Sequence, residues 1–107
     1  MRRGTTPQIS QVVYGYDLTG ATVYATVKQG QNVITKTGED LTIEVTDEDT
    51  AVTFALSQED TLSLQPGRAF VQIRWIDSDG NAYANYISEI QVEGVLLDEV
   101  IEYEPEI

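Results

Sequence analysis

Asp77, Asp79 and Asn81, at alternate positions around Gly80, are the residues of this chain whose types and spacing come nearest to chemistry. Oxygen-bearing side chains spaced in this way can ligate a hard cation such as calcium. The full calcium loop, however, needs glycine at its sixth position and a bidentate glutamate at its twelfth. Counted from Asp77, Gly80 is fourth and Ser88 twelfth. The run Asp77-Ser78-Asp79-Gly80-Asn81 therefore reads as a hairpin turn, whose left-handed backbone Asp, Gly and Asn tolerate. A second acidic group, Asp47-Glu48-Asp49 with Glu39 and Asp40, offers carboxylates without a ligand pattern and reads as solvated loop.

The rest of the catalytic repertoire is missing. The chain has no histidine and no cysteine, which removes imidazole-based triads, thiolate metal sites and disulfides. Carboxylates are too numerous for any pair to be informative, and the few aromatics would not line a sugar cleft of the glycosidase kind. No glycine-rich phosphate loop, nucleophile elbow or metal-binding helix motif occurs. The expectation is a non-enzyme with no catalytic residues, no cofactor and no metal.

Eighteen acidic against six basic residues give a net charge of −12, which repels nucleic acid and anionic membranes and suits docking onto a basic partner. Most of these charges read as a solvated acidic surface. No apolar run approaches the roughly 18 residues of a membrane span. Met1-Arg2-Arg3-Gly4-Thr5-Thr6-Pro7 has no apolar stretch behind its charges, so it is not read as a secretory signal.

The elements that would position any site are strands. Ala21, Val23, Ala25 and Val27 alternate with polar residues, as do Leu41, Ile43, Val45 and, later, Val52, Phe54, Leu56. Gln8 to Tyr14 is a first strand, and Val33 to Lys36 pairs back on the strand before it. Ser57 followed by Glu59 and Asp60 predicts a capped helical turn, closed by Pro66-Gly67, crossing from one sheet to the other. Arg68 to Ile76 is a long strand with Ala69, Val71, Ile73 and Trp75 on one face, and a partly apolar second face carrying Phe70 and Ile76. After the turn, Ala82 to Val92 is read as one return strand with Ala84, Tyr86, Ile90 and Val92 on a common face. Short strands at regular spacing predict a sandwich or a barrel.

With these segments placed, the chain resembles the N-terminal immunoglobulin-like domain of phage baseplate upper proteins and their stand-alone relatives in tailed phages and prophages of Gram-positive bacteria. The residues that carry the resemblance are Arg2 to Pro7, Asp17-Leu18-Thr19-Gly20-Ala21-Thr22-Val23-Tyr24, the crossover Leu56 to Thr61, Pro66-Gly67, and Val71-Gln72-Ile73-Arg74-Trp75. The resemblance implies an all-β, immunoglobulin-like antiparallel β-sandwich of about seven strands with one short helical turn. It also implies a structural role in the virion, made in the bacterial cytoplasm and acting through other virion proteins as a homo- or hetero-oligomer. The family continues into a trimerising helical region and receptor-binding elements. This chain ends at Ile107 with neither, which favours an adaptor or decoration role at the tail, baseplate, head–tail junction or capsid.

The expected organisation is an N-terminal arm over 1–7, a sandwich over 8–93 and an acidic, apolar C-terminal arm over 94–107. The arms would lock onto neighbouring subunits, through apolar anchors with charges setting register. Partner contacts are accordingly expected at Arg2, Arg3, Leu96, Leu97, Val100, Ile101 and Tyr103, and at Tyr24 and Tyr83 on outer strand faces. A rival reading, a carbohydrate- or host-surface-binding module, requires exposed aromatics at Tyr24, Tyr83 and Trp75, yet Trp75 shares its face with core residues. Mimicry of nucleic acid by carboxylates ranked along one face is a third reading, and the acidic residues here are scattered instead.

Overall fold

Period-two alternation becomes eight strands among the described residues, 1–103 of this computed structural model. They are β1 (Gln8–Val13), β2 (Thr22–Gln29), β3 (Asn32–Thr37), β4 (Leu41–Thr46), β5 (Asp49–Ala55), β6 (Gly67–Ile76), β7 (Ala82–Ala84) and β8 (Ser88–Val92). A 3₁₀ turn, Gly38–Asp40, precedes β4, and one helix, α1 (Gln58–Ser63), lies between β5 and β6. No helix among the described residues is long and apolar enough to cross a membrane.

All strand pairs are antiparallel and fall into two sheets, β1-β5-β4 and β3-β2-β6, the second completed by β7 and β8 end to end along the far edge of β6. The register of β2 on β6 sets Val23 against Trp75, Ala25 against Ile73 and Val27 against Val71. All six are buried, and Val52 and Phe54 of β5 belong to the same core cluster from the other sheet. This is the all-β, two-sheet arrangement the alternation called for.

The return arm of the last hairpin departs from the expected single strand. Arg74 pairs with Ala84 but Val71 pairs with Ser88, three steps along β6 against four on the returning chain. The extra residue is a bulge, and a one-residue slip reverses the facing of everything beyond it. Ile90 and Val92 therefore point with Ala69 into the core, whereas Ala84 lies opposite Arg74 on the outer face and Tyr86 is exposed. Asn85 holds the break in place: its N–H donates to Ile73, its side chain donates to Val12 O at 3.1 Å, and its carbonyl accepts from Gln72. A composition-based alternation count has no means of seeing this one-residue offset.

The helical crossover forms as its sequence specifies. Asp60 N–H donates to Ser57 Oγ at 3.0 Å and Ser57 N–H donates to Asp60 Oδ2 at 2.9 Å, a reciprocal capping box. The same Oδ2 receives Lys36 Nζ of β3 at 2.8 Å, tying the helix to the five-stranded sheet. Partial burial opposes ionisation of Asp60, but the Lys36 ammonium and the Ser57 donors outweigh it and hold the carboxyl below its ordinary value. Between that lowered value and the ordinary 3.8, the unfolded chain binds more protons than the folded one. The stabilisation is thus complete above the ordinary value and disappears as pH falls through the lowered one. Asp60→Asn is expected to cost about 1 kcal/mol at neutral pH. It should also flatten the decline in stability below about pH 4, read from urea midpoints across an acid series. An unchanged acid profile would show that the ion pair and cap contribute nothing.

Candidate partner-binding site

The start of the chain is stitched to the residues that follow β8. Arg3 N–H donates to Glu93 O at 2.9 Å and Glu93 N–H donates to Met1 O at 2.7 Å, giving a parallel bridge between Arg2 and Glu93. Arg2 clasps Gly94 O and Glu93 Oε2 through its two terminal nitrogens, each at 2.7 Å. The expected free N-terminal arm is therefore a short lacing along the sandwich.

Arg3 requires a correction. Expected at a partner surface, it is buried, with only 8 % of its surface exposed. Its guanidinium donates to Leu64 O through Nε, and through Nη2 to Leu62 O at 2.7 Å and Asp98 Oδ1 at 2.9 Å. α1 has no basic residue in its last turn, so the carbonyls left open at its end take their cation from the N-terminus of the chain.

Asp98 in turn pins the segment that follows β8. Farther along, Ile101 N–H donates to Gln58 Oε1 at 2.8 Å, and Gln58 Nε2 donates back to Ile101 O at 2.9 Å. The backbone is held at these points while its apolar side chains face water. Leu96 is fully exposed, and Leu97, Val100, Ile101 and Tyr103 are exposed as well. Leu96 and Leu97 sit with Arg2, Gly94 and Val95 around one shallow groove. The structure thus brings Arg2, Leu96 and Leu97 together and presents Val100, Ile101 and Tyr103 on the same segment. Residues 104–107 of the expected C-terminal arm lie outside the described residues.

The tyrosines separate. Tyr24 lies opposite Arg74, on the outer face of the larger sheet, and is exposed. Tyr83, expected on an outer face, lies opposite Trp75 and so shares the inner side, a facing set by the register of the hairpin. Its ring stacks on Trp75 with centroids 5.6 Å apart and planes 20° from parallel, while Tyr16 meets Trp75 edge-on at 5.2 Å. Trp75, expected in the core, is 4 % exposed. Tyr16 and Tyr83 keep part of their surface in solvent and border, with Trp75, a shallow depression shared with Asp17, Asp77 and Asp79.

The Asp77 loop bonds within its own turn, whereas Asp49 Oδ1 accepts from Gly15 N–H at 2.8 Å. Asp77 Oδ1 accepts from the N–H groups of Asp79 at 3.0 Å and Asn81 at 2.9 Å, and Gly80 takes the left-handed backbone at φ 86°. Asp17 is held below the usual carboxylate range by hydrogen bonds from Thr19. No group of three metal-ligating side chains converges among the described residues.

One surface went unnoticed in the sequence. The outer face of the five-stranded sheet carries Lys28, Arg68 and Arg74, half of the chain's six basic residues. Among its paired strand positions Glu89, bound to Arg68 at 3.3 Å, is the sole carboxylate. Exposed Phe70 lies between Arg68 and Arg74 and opposite Lys28, and Ile76 lies just beyond Arg74, with Tyr24 and Ile87 also exposed. The signal lay in the alternate residues 68, 70, 72, 74 and 76 of β6, the second face of that strand. The strand is central, and Arg68, Phe70, Arg74 and Ile76 are exposed. By contrast, the outer side of the smaller sheet is polar, with Thr53 Oγ1 donating to Ser10 Oγ at 3.0 Å.

No family model matches the chain, and no curated protein sequence matches it.

Proposed function

We propose that this chain is a non-enzymatic structural component of a tailed-phage particle, an immunoglobulin-like sandwich that works by contacting neighbouring subunits. The observation that carries the reading is the segment after β8. Its backbone is anchored through Asp98 to Arg3 and through Ile101 to Gln58, while Leu96, Leu97, Val100 and Tyr103 stand in solvent. A row of apolar side chains offered on a fixed backbone marks a protein–protein contact, because such exposure is costly unless a partner covers it.

Strand order supports the immunoglobulin-like part. Assigning β1 through β6 to strands B, C, C′, D, E and F, and the pair β7 and β8 to G, gives sheets D-E-B and C′-C-F-G. That is the division characteristic of the immunoglobulin sandwich. The short helix between E and F crosses from one sheet to the other. A rigid body of this kind serves as a spacer, and the resemblance of the sequence to baseplate upper domains supplies the virion context.

The test is compositional. Particles released by the bacterium that encodes this chain, purified through a density gradient, should contain it at a stoichiometry comparable to other structural proteins by mass spectrometry. Purified particles that lack it would overturn the virion reading.

A further inference from the structure

We infer that the outer face of the five-stranded sheet is a docking site for residues 95–103 of a second copy of this chain, so that copies associate head to tail. The inference rests on the proposal that the protein works by subunit contacts, and it names the partner and the two surfaces.

The receiving face is chemically unlike the rest of the molecule. A chain of net charge −12 has gathered Lys28, Arg68 and Arg74 on one sheet surface. Among the described residues Lys28 and Arg74 make no ion pair, and Arg68 keeps only the exposed contact with Glu89. Around the cations the face carries apolar side chains, with Phe70 43 % exposed, Tyr24 43 %, Ile76 38 % and Ile87 63 %, and Thr26 and Gln72 among them. Two shallow depressions run along it, one between Tyr24, Arg74 and Ile76, the other between Lys28, Phe70 and Ile87, with Arg74 forming the wall common to both. A mixed cationic and apolar surface fits a ligand that alternates carboxylates with large apolar side chains.

Residues 95–103 are such a ligand. Leu96, Leu97, Val100, Ile101 and Tyr103 are interleaved with Asp98, Glu99 and Glu102. Glu99 and Glu102 are exposed and form no ion pair among the described residues. The segment does not occupy the face of its own chain: none of its residues lines either depression, and its anchors are Arg3 and Gln58, beside α1. One surface and a different, complementary surface on the same chain generate a heterologous contact that propagates. Charge complementarity selects the occupant. Two copies of so acidic a chain repel unless the contact sets the basic face of one against the acidic segment of the other.

A charge exchange tests this with exposed residues, leaving the core untouched. The face variant is Lys28→Glu with Arg74→Glu, and the segment variant is Glu99→Lys with Glu102→Lys. Sedimentation velocity over a concentration series should show self-association of the wild-type chain, weakened at least tenfold in each variant alone. An equimolar mixture of the two variants restores opposite charge at both contacts, so it should recover association to within about threefold of wild type. A wild-type chain that stays monomeric throughout, a variant that associates like wild type, or a mixture that fails to recover would each overturn the inference. The two proposals fail separately. A monomeric wild-type chain still found in particles would pass the face to a different virion protein, whereas a self-associating chain missing from particles would sink the virion reading alone.

Discussion

Replacing Trp75 with alanine is expected to remove about 3–5 kcal/mol of folding stability, a large share of the roughly 5–15 kcal/mol typical of a domain. Trp75 is 4 % exposed, lies opposite Val23 in the register of β2 and β6, and anchors the inner side of the last hairpin. Its removal leaves a cavity that the backbone of a central strand cannot collapse to fill. It also severs the stack with Tyr83 and the edge contact with Tyr16, an aromatic coupling of about 0.5–1.5 kcal/mol beyond area. Trp75→Phe keeps a ring in place and should lose less than half as much. Tyr83→Ala, at a site 37 % exposed, should fall below both. The measurement is urea unfolding followed by far-ultraviolet circular dichroism, since the Trp75 variants lack the only tryptophan. A loss under about 1 kcal/mol for the alanine variant would contradict a core position and reopen Trp75 as a surface group.

How much of this was legible in the sequence depended on the range of the interactions involved. The alternation in β2, β5 and β6 and the Ser57–Asp60 cap are local signals, and each element formed where its residues specified. The Asp77–Asn81 turn likewise followed from residues that bond to their own neighbours. What escaped was set by register and by distant pairing. The bulge at Asn85 depends on hydrogen bonds to Ile73 and Val12 that no window of the return strand contains. It splits one expected strand into β7 and β8, while the hairpin register ahead of it sets Tyr83 opposite Trp75 instead of outward. Arg3 was misread for a similar reason. An arginine near a chain terminus has the composition of a free arm, and only the fold reveals the carbonyls of Leu62 and Leu64 waiting 59 and 61 residues away. The basic outer face was visible residue by residue, but its charge became conspicuous only when β2, β6 and β8 were laid side by side.

Arg3→Met should destabilise the protein by about 2–4 kcal/mol while preserving most of the volume of the side-chain stem. The loss arises because the α1 carbonyls stay in place when their donor is removed. Leu64 is wholly buried, so its C=O exchanges a charge-assisted hydrogen bond for no partner. Arg3→Lys should recover only part of the loss, because one ammonium cannot reproduce a fork that serves two carbonyls and Asp98 together. Asp98→Asn separates the contributions: the Asp98 side chain is 59 % exposed, and its loss should cost less than about 1 kcal/mol. Hydrogen exchange supplies a second readout. Loss of the Arg3 clamp should deprotect the amides of Arg3 and Glu93, which bond across the two ends, before those of β6. The Ile101 amide, held by Gln58 at the far end of the segment, should follow if residues 95–103 are held as one unit. If Arg3 and Glu93 exchange as slowly in Arg3→Met as in wild type, the lacing does not depend on the guanidinium. Residues 95–103 would then be positioned by Gln58 alone, and the fixed presentation of Leu96, Leu97 and Val100 would lose its principal support.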